Sequence, residues 1–345
     1  VTDLPGLDLD RLTAYLDRAT PGLAAGPLKA ELVVGGRSNL TYYVTDGEHR
    51  WVLRRPPLGH VLSTAHDMSR EFRVLSALAK TTVPVPATIH LCTDPEPLGA
   101  PFYLMAHVPG EVLRTQAQCV ALGPARCAAL GERLVDVLAE LHTVEPDSVG
   151  LGDFGRPQGY LTRQVARWRK QLDASRSREV AGIDELHDRL AASVPESARY
   201  SLLHGDYRLD NVLVDPVAPD ITAVLDWEMA TLGDPLADVG LLVVYTRRQE
   251  GGDVITGGVN NAPGFPSTEH LLSRYAAITG ADLSTLDWYV GLACFKLAVV
   301  LEGIYYRFTQ GKTVGAGFDR IGDMVPPLVR AGLAALIGDE GKESV

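Results

Sequence analysis

Three side chains between Ser201 and Gly240 have the types and spacing that phosphoryl transfer requires: Asp206, Asn211 and Asp226. His204, Asp206 and Asn211 fit the pattern H-x-D-x-x-x-x-N, and Asp226 stands directly behind the apolar run Ala223-Val224-Leu225. Phosphoryl transfer asks little covalent work of a protein. It needs a metal held by carboxylate and amide oxygens, a cation on the phosphates, and a group orienting the attacking hydroxyl. Asp206 suits the last task, as the catalytic group that accepts or orients the hydroxyl. Asn211 suits a Mg²⁺ ligand at the far end of the same loop, and Asp226 a ligand for Mg²⁺ that bridges nucleotide phosphates. Taken singly, Asp206 and Asn211 are equally an ordinary Asx-rich turn. The succession of strand, loop, strand and an apolar run ending in a third acid favours the chemical reading.

The surrounding sequence supplies elements to hold these groups. Asp8 precedes Leu9, Leu12, Leu16 and Ala19 at helical spacing, so an opening helix with Asp8 as N-cap is expected. Leu28 to Tyr43 reads as strand, glycine loop, strand. Asp46-Gly47 between two β-rich runs predicts a hairpin, with Val52 and Arg54 on one face of its second strand. Met68 to Lys80 reads as a helix with Glu71 at the margin of its apolar stripe, followed by strands at Pro86–Cys92 and Phe102–Val108. From Pro109 the pattern turns to long helices: Cys127–His142, the charged stretch Tyr160–Ser193, a helix opened by Asp234-Pro235, and the late segments Leu271–Ile278 and Trp288–Tyr306. Gly251 to Pro266 is expected to be a flexible surface connection, and the last residues, from Asp339, to fray. The chain thus divides into a strand-rich part, 1–108, and a helical part, 109–345.

Composition excludes several classes. A content of 46% hydrophobic residues in 345 is ample for a core. The longest apolar run, Trp288 to Leu301, is shorter than the roughly 20 residues of a membrane span and is interrupted by Lys296, so no membrane partner is expected. Three Asp among the first ten residues are the reverse of a signal or transit peptide, so a cytoplasmic location is expected. Cys92, Cys119, Cys127 and Cys294 show neither disulfide nor zinc spacing and read as buried thiols. The net charge of −11 is uneven: residues 1–108 hold 10 Lys+Arg against 11 Asp+Glu, leaving 22 against 32 for the rest. That balance disfavours nucleic acid and tolerates a cationic or metal-bound ligand, although a solvated acidic surface explains it as well.

These motifs resemble the aminoglycoside phosphotransferase and choline kinase-like family, from about Leu32 to about Tyr306. The resemblance implies an α+β, bilobal protein-kinase-like fold: a small antiparallel β-sheet lobe with one key helix, and a larger, mainly helical lobe. It implies a Mg²⁺-dependent phosphotransferase acting on an alcohol group, with ATP or GTP as cofactor and a small-molecule hydroxyl as substrate; it names no protein partner. Asp206 then corresponds to the catalytic base, Asn211 to a metal ligand and Asp226 to the aspartate of the D-F-G position, here Asp226-Trp227-Glu228. His204 becomes a packing residue beneath the loop, Asp234 a helix cap and Asp238 a brace for the loop; Glu228 is either a metal-site or a packing residue. Gly35 to Val44 corresponds to the phosphate-covering loop, with Gly36, Ser38 and Asn39 near the nucleotide, although a third glycine is lacking. Arg54 falls where the family places its phosphate-binding lysine, and Glu71 where a helix glutamate pairs with it. Arg keeps the charge, but its rigid fork is not interchangeable with an ammonium. Met105, His107 and Val108 would line the adenine hinge, with Val52 as apolar cover.

Only seven residues separate Asp226 from Asp234, too few for the long activation segment of a protein kinase. The acceptor stays open. The acidic C-terminal part suits a cationic aminoglycoside, whereas Arg163, Arg167, Arg169 and Lys170 suit an anionic group. GRSN, VLRRPP and HGDYRLDN also resemble the kinase-like domains that accompany acyl-CoA dehydrogenases, which makes a hydroxyacyl or CoA-linked metabolite the alternative acceptor. A non-catalytic nucleotide-binding pseudokinase, suggested by Arg54 and the glycine-poor loop, is the alternative of another class.

Overall fold

Asp8 opens the first helix, α1 (Leu9–Ala19), by accepting from the Arg11 N–H at 3.0 Å, and Leu12 and Leu16 are its buried stripe. In the computed structural model the described residues are 4–33, 39–58, 67–247, 258–311 and 318–340. They form two compact units. One comprises Val1–Glu111, Val212–Pro216 and Ile221–Ala230; the other comprises Val112–Asn211, Val217–Asp220 and Thr231–Val345.

The first unit is built on a five-stranded antiparallel sheet. Its strands are β1 (Lys29–Leu32), β2 (Leu40–Thr45), β3 (Arg50–Arg55), β4 (Thr88–Cys92) and β5 (Phe102–Ala106), in the order β1-β2-β3-β5-β4. The hairpin expected at Asp46-Gly47 joins β2 to β3, pairing Thr45 with Arg50. Asp46 accepts from the N–H groups of Glu48 and His49, which closes the turn. Because side chains alternate along a strand, β3 sends Trp51 and Leu53 into a core shared with Leu12, Leu16, Tyr42, Phe102 and Leu104. Val52 and Arg54 face the other way, opposite Met105 and Tyr103 of β5. The helix α2 (Met68–Leu78) packs on that second face, with Phe72 edge-on to Tyr103 and Ser76 bonded to Thr88 at 2.8 Å.

The second unit begins with α3 (Gln116–Leu122) and α4 (Pro124–Thr143). The charged stretch expected as one helix is two, α5 (Tyr160–Ser175) and α6 (Ile183–Ala192), separated where Gly182 adopts a left-handed conformation (φ 81°). After β6 (Ser201–Leu203) the chain runs through Asn211 into β7 (Val212–Val214) and β8 (Ile221–Val224), an antiparallel pair that belongs to the first unit. It then forms β9 (Thr231–Gly233), which pairs with β6, and the helices α7 (Leu236–Thr246), α8 (Thr268–Thr279), α9 (Leu286–Thr309) and α10 (Val325–Glu340). By length and composition α9 could cross a bilayer, yet 72% of its most apolar window is buried, against α5, α7 and α10 among others. It is the core helix of this unit.

One expectation needs correcting. Residues 251–257 of the Gly251–Pro266 segment lie outside the described residues, but the remainder is not a surface connection. Val259, Asn260, Ala262 and Phe265 are buried, and Asn260 Nδ2 donates to the Arg247 carbonyl at 2.7 Å. Glycine content signalled a turn there but not the apolar anchors around it.

Candidate functional site

In the first unit the second face of the sheet gathers charge. Arg54 places Nε 3.0 Å from Glu71 Oε2 and donates from Nη2 to Asp226 Oδ1. Its neighbour Arg55 points to the opposite face and donates to the carbonyls of Gly6 and Leu98, so period two separates the two arginines. Glu71 is buried, 2% exposed, instead of marginal on its helix. It accepts from Tyr103 Oη at 3.0 Å and from Asn39 Nδ2 at 3.1 Å, and Asn39 also reaches Glu228 Oε2 at 3.3 Å. Burial pushes the Glu71 carboxyl up, while Arg54, Tyr103 and Asn39 pull it back. Burial works against the Arg54 charge too, but Glu71, Tyr103 and Asp226 outweigh it and raise the guanidinium pKa.

Asp226 is the one non-glycine residue with positive φ among the described residues (φ 65°, ψ 59°). Aspartate tolerates this left-handed geometry better than most side chains. The turn continues into a short 3-10 helix, Trp227–Met229, anchored by the buried Trp227, whose Nε1 donates to the Val224 carbonyl at 3.0 Å.

The remaining expected nucleotide residues of this unit occupy the sheet and its exit. Val52 and Met105 are buried cross-strand partners, and His107 packs edge-on to Tyr43 while its N–H donates to the Arg50 carbonyl. Val108 follows, half-buried, with no backbone hydrogen bond among the described residues. Gly36 and Ser38 lie outside the described residues; Asn39, just after them, has its side chain committed to the two glutamates.

In the second unit a loop after β6 carries Asp206 and Asn211. Asp206 Oδ1 accepts from Tyr245 Oη at 2.6 Å, and Oδ2 accepts from Asn211 Nδ2 at 3.0 Å. The same Asn211 amide donates to the Asp206 carbonyl at 2.8 Å, closing the loop on itself. Arg208 stands farther off, 3.8 Å from Asp206 Oδ2, over the ring of Tyr245. Burial and then the Asp206 charge raise the Tyr245 pKa well above its ordinary value, so its hydroxyl remains a donor.

The loop is held from beneath. Asp238, in the first turn of α7, accepts from the N–H groups of His204 at 2.7 Å and Gly205 at 2.9 Å. Burial would raise the Asp238 carboxyl; hydrogen bonding from His142, the nearby His charges and the His204 N–H hold it below its ordinary value instead. His204 is fully buried and accepts from the Asp206 N–H through Nδ1, which makes it a support. Asp234 caps α7 through the Leu236 N–H at 3.0 Å and takes a second bond from Tyr289 Oη at 2.8 Å. On α9, Lys296 donates to the Gly205 carbonyl.

Residues 29–271 match the family model for phosphotransferase enzymes. The chain belongs to the phosphotransferase enzyme family. Among curated relatives, "Acyl-CoA dehydrogenase family member 11" of Gallus gallus is 35% identical over 336 residues, covering 94% of this chain and 43% of the relative. "Acyl-CoA dehydrogenase family member 10" of Mus musculus is 33% identical, covering 91% and 30%. The chain therefore spans less than half the length of these relatives. Among solved structures, a Ralstonia eutropha protein provisionally described as an aminoglycoside phosphotransferase is 33% identical with a TM-score of 0.83, covering 96% of this chain and 98% of that one. A thermostable mutant of aminoglycoside phosphotransferase APH(4)-Ia, in ternary complex with AMP-PNP and hygromycin B, is 16% identical with a TM-score of 0.60, covering 94% and 98%, and shares the fold. This phosphotransferase-family chain thus has the α+β kinase-like fold, and family and fold together support a small-molecule kinase.

Tyr103, His142, Tyr245 and Lys296 escaped the sequence reading. Two of them left a signal: Tyr245 stands seven residues after Asp238, two turns along an otherwise apolar helix, and Lys296 is the one charge between Trp288 and Leu301. Tyr103 and His142 looked like core residues, because the partners that give their polar atoms a task lie far away in sequence.

Proposed function

We propose that the chain is a kinase that transfers the γ-phosphate of ATP (or GTP) to a hydroxyl of a small molecule. The observation that carries this reading is the state of Asp206: its two oxygens are held by the neutral donors Tyr245 and Asn211, on a loop pinned by Asp238. A carboxylate so positioned, with no cation closer than Arg208 among the described residues, is placed to orient an attacking hydroxyl and accept its proton. Arg54, held in place by Glu71, is assigned to the nucleotide phosphates, and Val52, Met105, His107 and Val108 to the base.

Mg²⁺ suits the donors present. Asn211 Oδ1 and Asp226 Oδ2 have no partner among the described residues, and hard oxygen donors are what Mg²⁺ takes. When bound, Mg²⁺ supplies charge neutralisation on the transferring phosphates. Asn211 and Asp226 are assigned as its ligands, while Asn39 holds Glu228 beside Glu71. Among acceptors, the names of the relatives at 33–35% identity favour a hydroxyacyl or CoA-linked metabolite over an antibiotic.

Mg²⁺-dependent ATP turnover, with and without hydroxylated acceptors, compared between wild type and Asp206→Ala, tests the proposal. Loss of turnover in the variant at unchanged thermal stability supports it; equally slow turnover in both removes the catalytic assignment.

A further inference from the structure

The basic stretch of α5 does not act as one patch. Arg163 is bound to the carbonyls of Arg156 and Gln158, and Arg169 is paired with Asp173 and Asp184, the latter at 2.9 Å. Arg167 differs: it is exposed, it makes no ion pair among the described residues, and its guanidinium lies 5.2 Å from the centroid of the buried Trp168 ring. Lys296 of α9 reaches the same ring, with Nζ 5.6 Å from the centroid, and donates to the carbonyl of Gly205, the residue before Asp206. Lys296 also lacks an ion-pair partner among the described residues.

Two cations drawn to one indole repel each other, and among the described residues no carboxylate is paired with either. Burial depresses the Lys296 pKa, Asp206 and Asp238 counter it, and Arg167 depresses it further. An anion placed against both would remove that conflict and collect charge-assisted hydrogen bonds from the ammonium protons not used on Gly205 and from the unengaged guanidinium. A purely structural lysine would account for the bond to Gly205 but not for Arg167.

Resting on the kinase reading, we propose that Lys296 and Arg167, arrayed on Trp168, bind an anionic group of the acceptor, a carboxylate or a phosphate, and so fix its hydroxyl toward Asp206. The acceptor class is then a hydroxylated acid or phosphate ester, and a polycationic aminoglycoside is disfavoured by the same two charges.

The test uses the full chain, a series of straight-chain hydroxycarboxylates of increasing spacing between carboxylate and hydroxyl, glycerol phosphate, the matching uncharged diols and an aminoglycoside. Calorimetry measures binding, and ADP release measures turnover. The expected result is preference for one anionic series over its uncharged diols, with Arg167→Ala weakening that acceptor about tenfold or more while the diols change little, and Lys296→Met, which also removes the bond to the Gly205 carbonyl, weakening the anionic acceptor more than the diols. Arg169→Ala, whose partners are acids of its own surface, serves as the control that shifts neither. The hydroxycarboxylate and glycerol phosphate arms distinguish the two anions. If ATP turns over in an Asp206-dependent way but anionic and uncharged acceptors bind alike, or if Arg167→Ala raises KM for ATP instead, the anion site is wrong and the kinase reading stands. If ATP neither binds nor turns over, both fall. Because Arg167 is exposed, its variant reports even if Lys296→Met fails to fold.

Discussion

The Arg54 cluster of the first unit and the Asp206 loop of the second both hold acids in fixed positions, by opposite means. Around Arg54, charges compensate one another: Glu71 and Asp226 flank one guanidinium, and neutral donors from Tyr103 and Asn39 complete the shell of Glu71. Around Asp206 the close partners are neutral, Tyr245 and Asn211, and the ionic work is passed to a buried residue beneath, Asp238, which faces two backbone N–H groups. The difference separates holding charge from using it. A cation that must stay in place is best locked between acids, whereas a base that must take up a proton is best positioned by donors that do not cancel its charge.

The largest effect should come from removing the unneutralised charge. Asp206→Asn keeps the size of the side chain and is expected to lower kcat about 10³-fold with a thermal midpoint close to wild type, measured by ADP release and by a melting curve. A variant that retains turnover would erase the contrast between the two regions. Asp238→Ala attacks the support instead. Leaving two buried N–H groups unpaired should cost about 3 kcal/mol in denaturant unfolding and also reduce kcat, because the loop loses its anchor. The sign with pH follows from the depressed Asp238 carboxyl: its contribution is present above the ordinary aspartate value and is lost as pH falls through the lower folded value. The acid side of the stability profile should therefore be flatter in the variant than in wild type.

In the first unit, Glu71→Gln leaves Arg54 with Asp226 as its one close acid among the described residues. An expected loss of about 2 kcal/mol in stability, together with a raised KM for ATP and a smaller change in kcat, would mark the cluster as a holder of charge. A fall in kcat at constant KM would instead place Glu71 with Asp206, against the comparison.

Much of this was legible in the sequence because it is local. The spacing of His204, Asp206 and Asn211, the Asp46 turn, the cap of α1 and the alternation along β3 all depend on residues a few positions apart. The division into a strand-rich and a helical part followed from the switch of period near Pro109, and the α+β class from the family resemblance. The Arg-rich stretch was readable in part: Arg169 and Asp173 stand at the helical i, i+4 spacing, so their pairing was available, whereas the link of Arg169 to Asp184 needs the bend after Ser175. Buried polar partnerships such as Tyr103 with Glu71, or His142 with Asp238, join residues 32 and 96 apart, and no local pattern encodes them. Asp226 was visible as an acid but not as a left-handed one, since its backbone is set by the anchoring of Trp227.

The smallest effect should separate positioning from chemistry. Tyr245→Phe removes one hydroxyl, 2.6 Å from Asp206 Oδ1, and leaves a ring that still packs in α7 beneath Arg208. A single charge-assisted bond of this kind contributes about 1 to 2 kcal/mol, so kcat should fall roughly tenfold while KM for ATP and the unfolding midpoint stay near wild type. Combining Tyr245→Phe with Asp206→Asn in a double-mutant cycle then decides how the hydroxyl acts. If the tyrosine works through the carboxylate, the second loss disappears in the double variant; if the two losses add, Tyr245 contributes independently and the neutral-donor account of Asp206 must be given up.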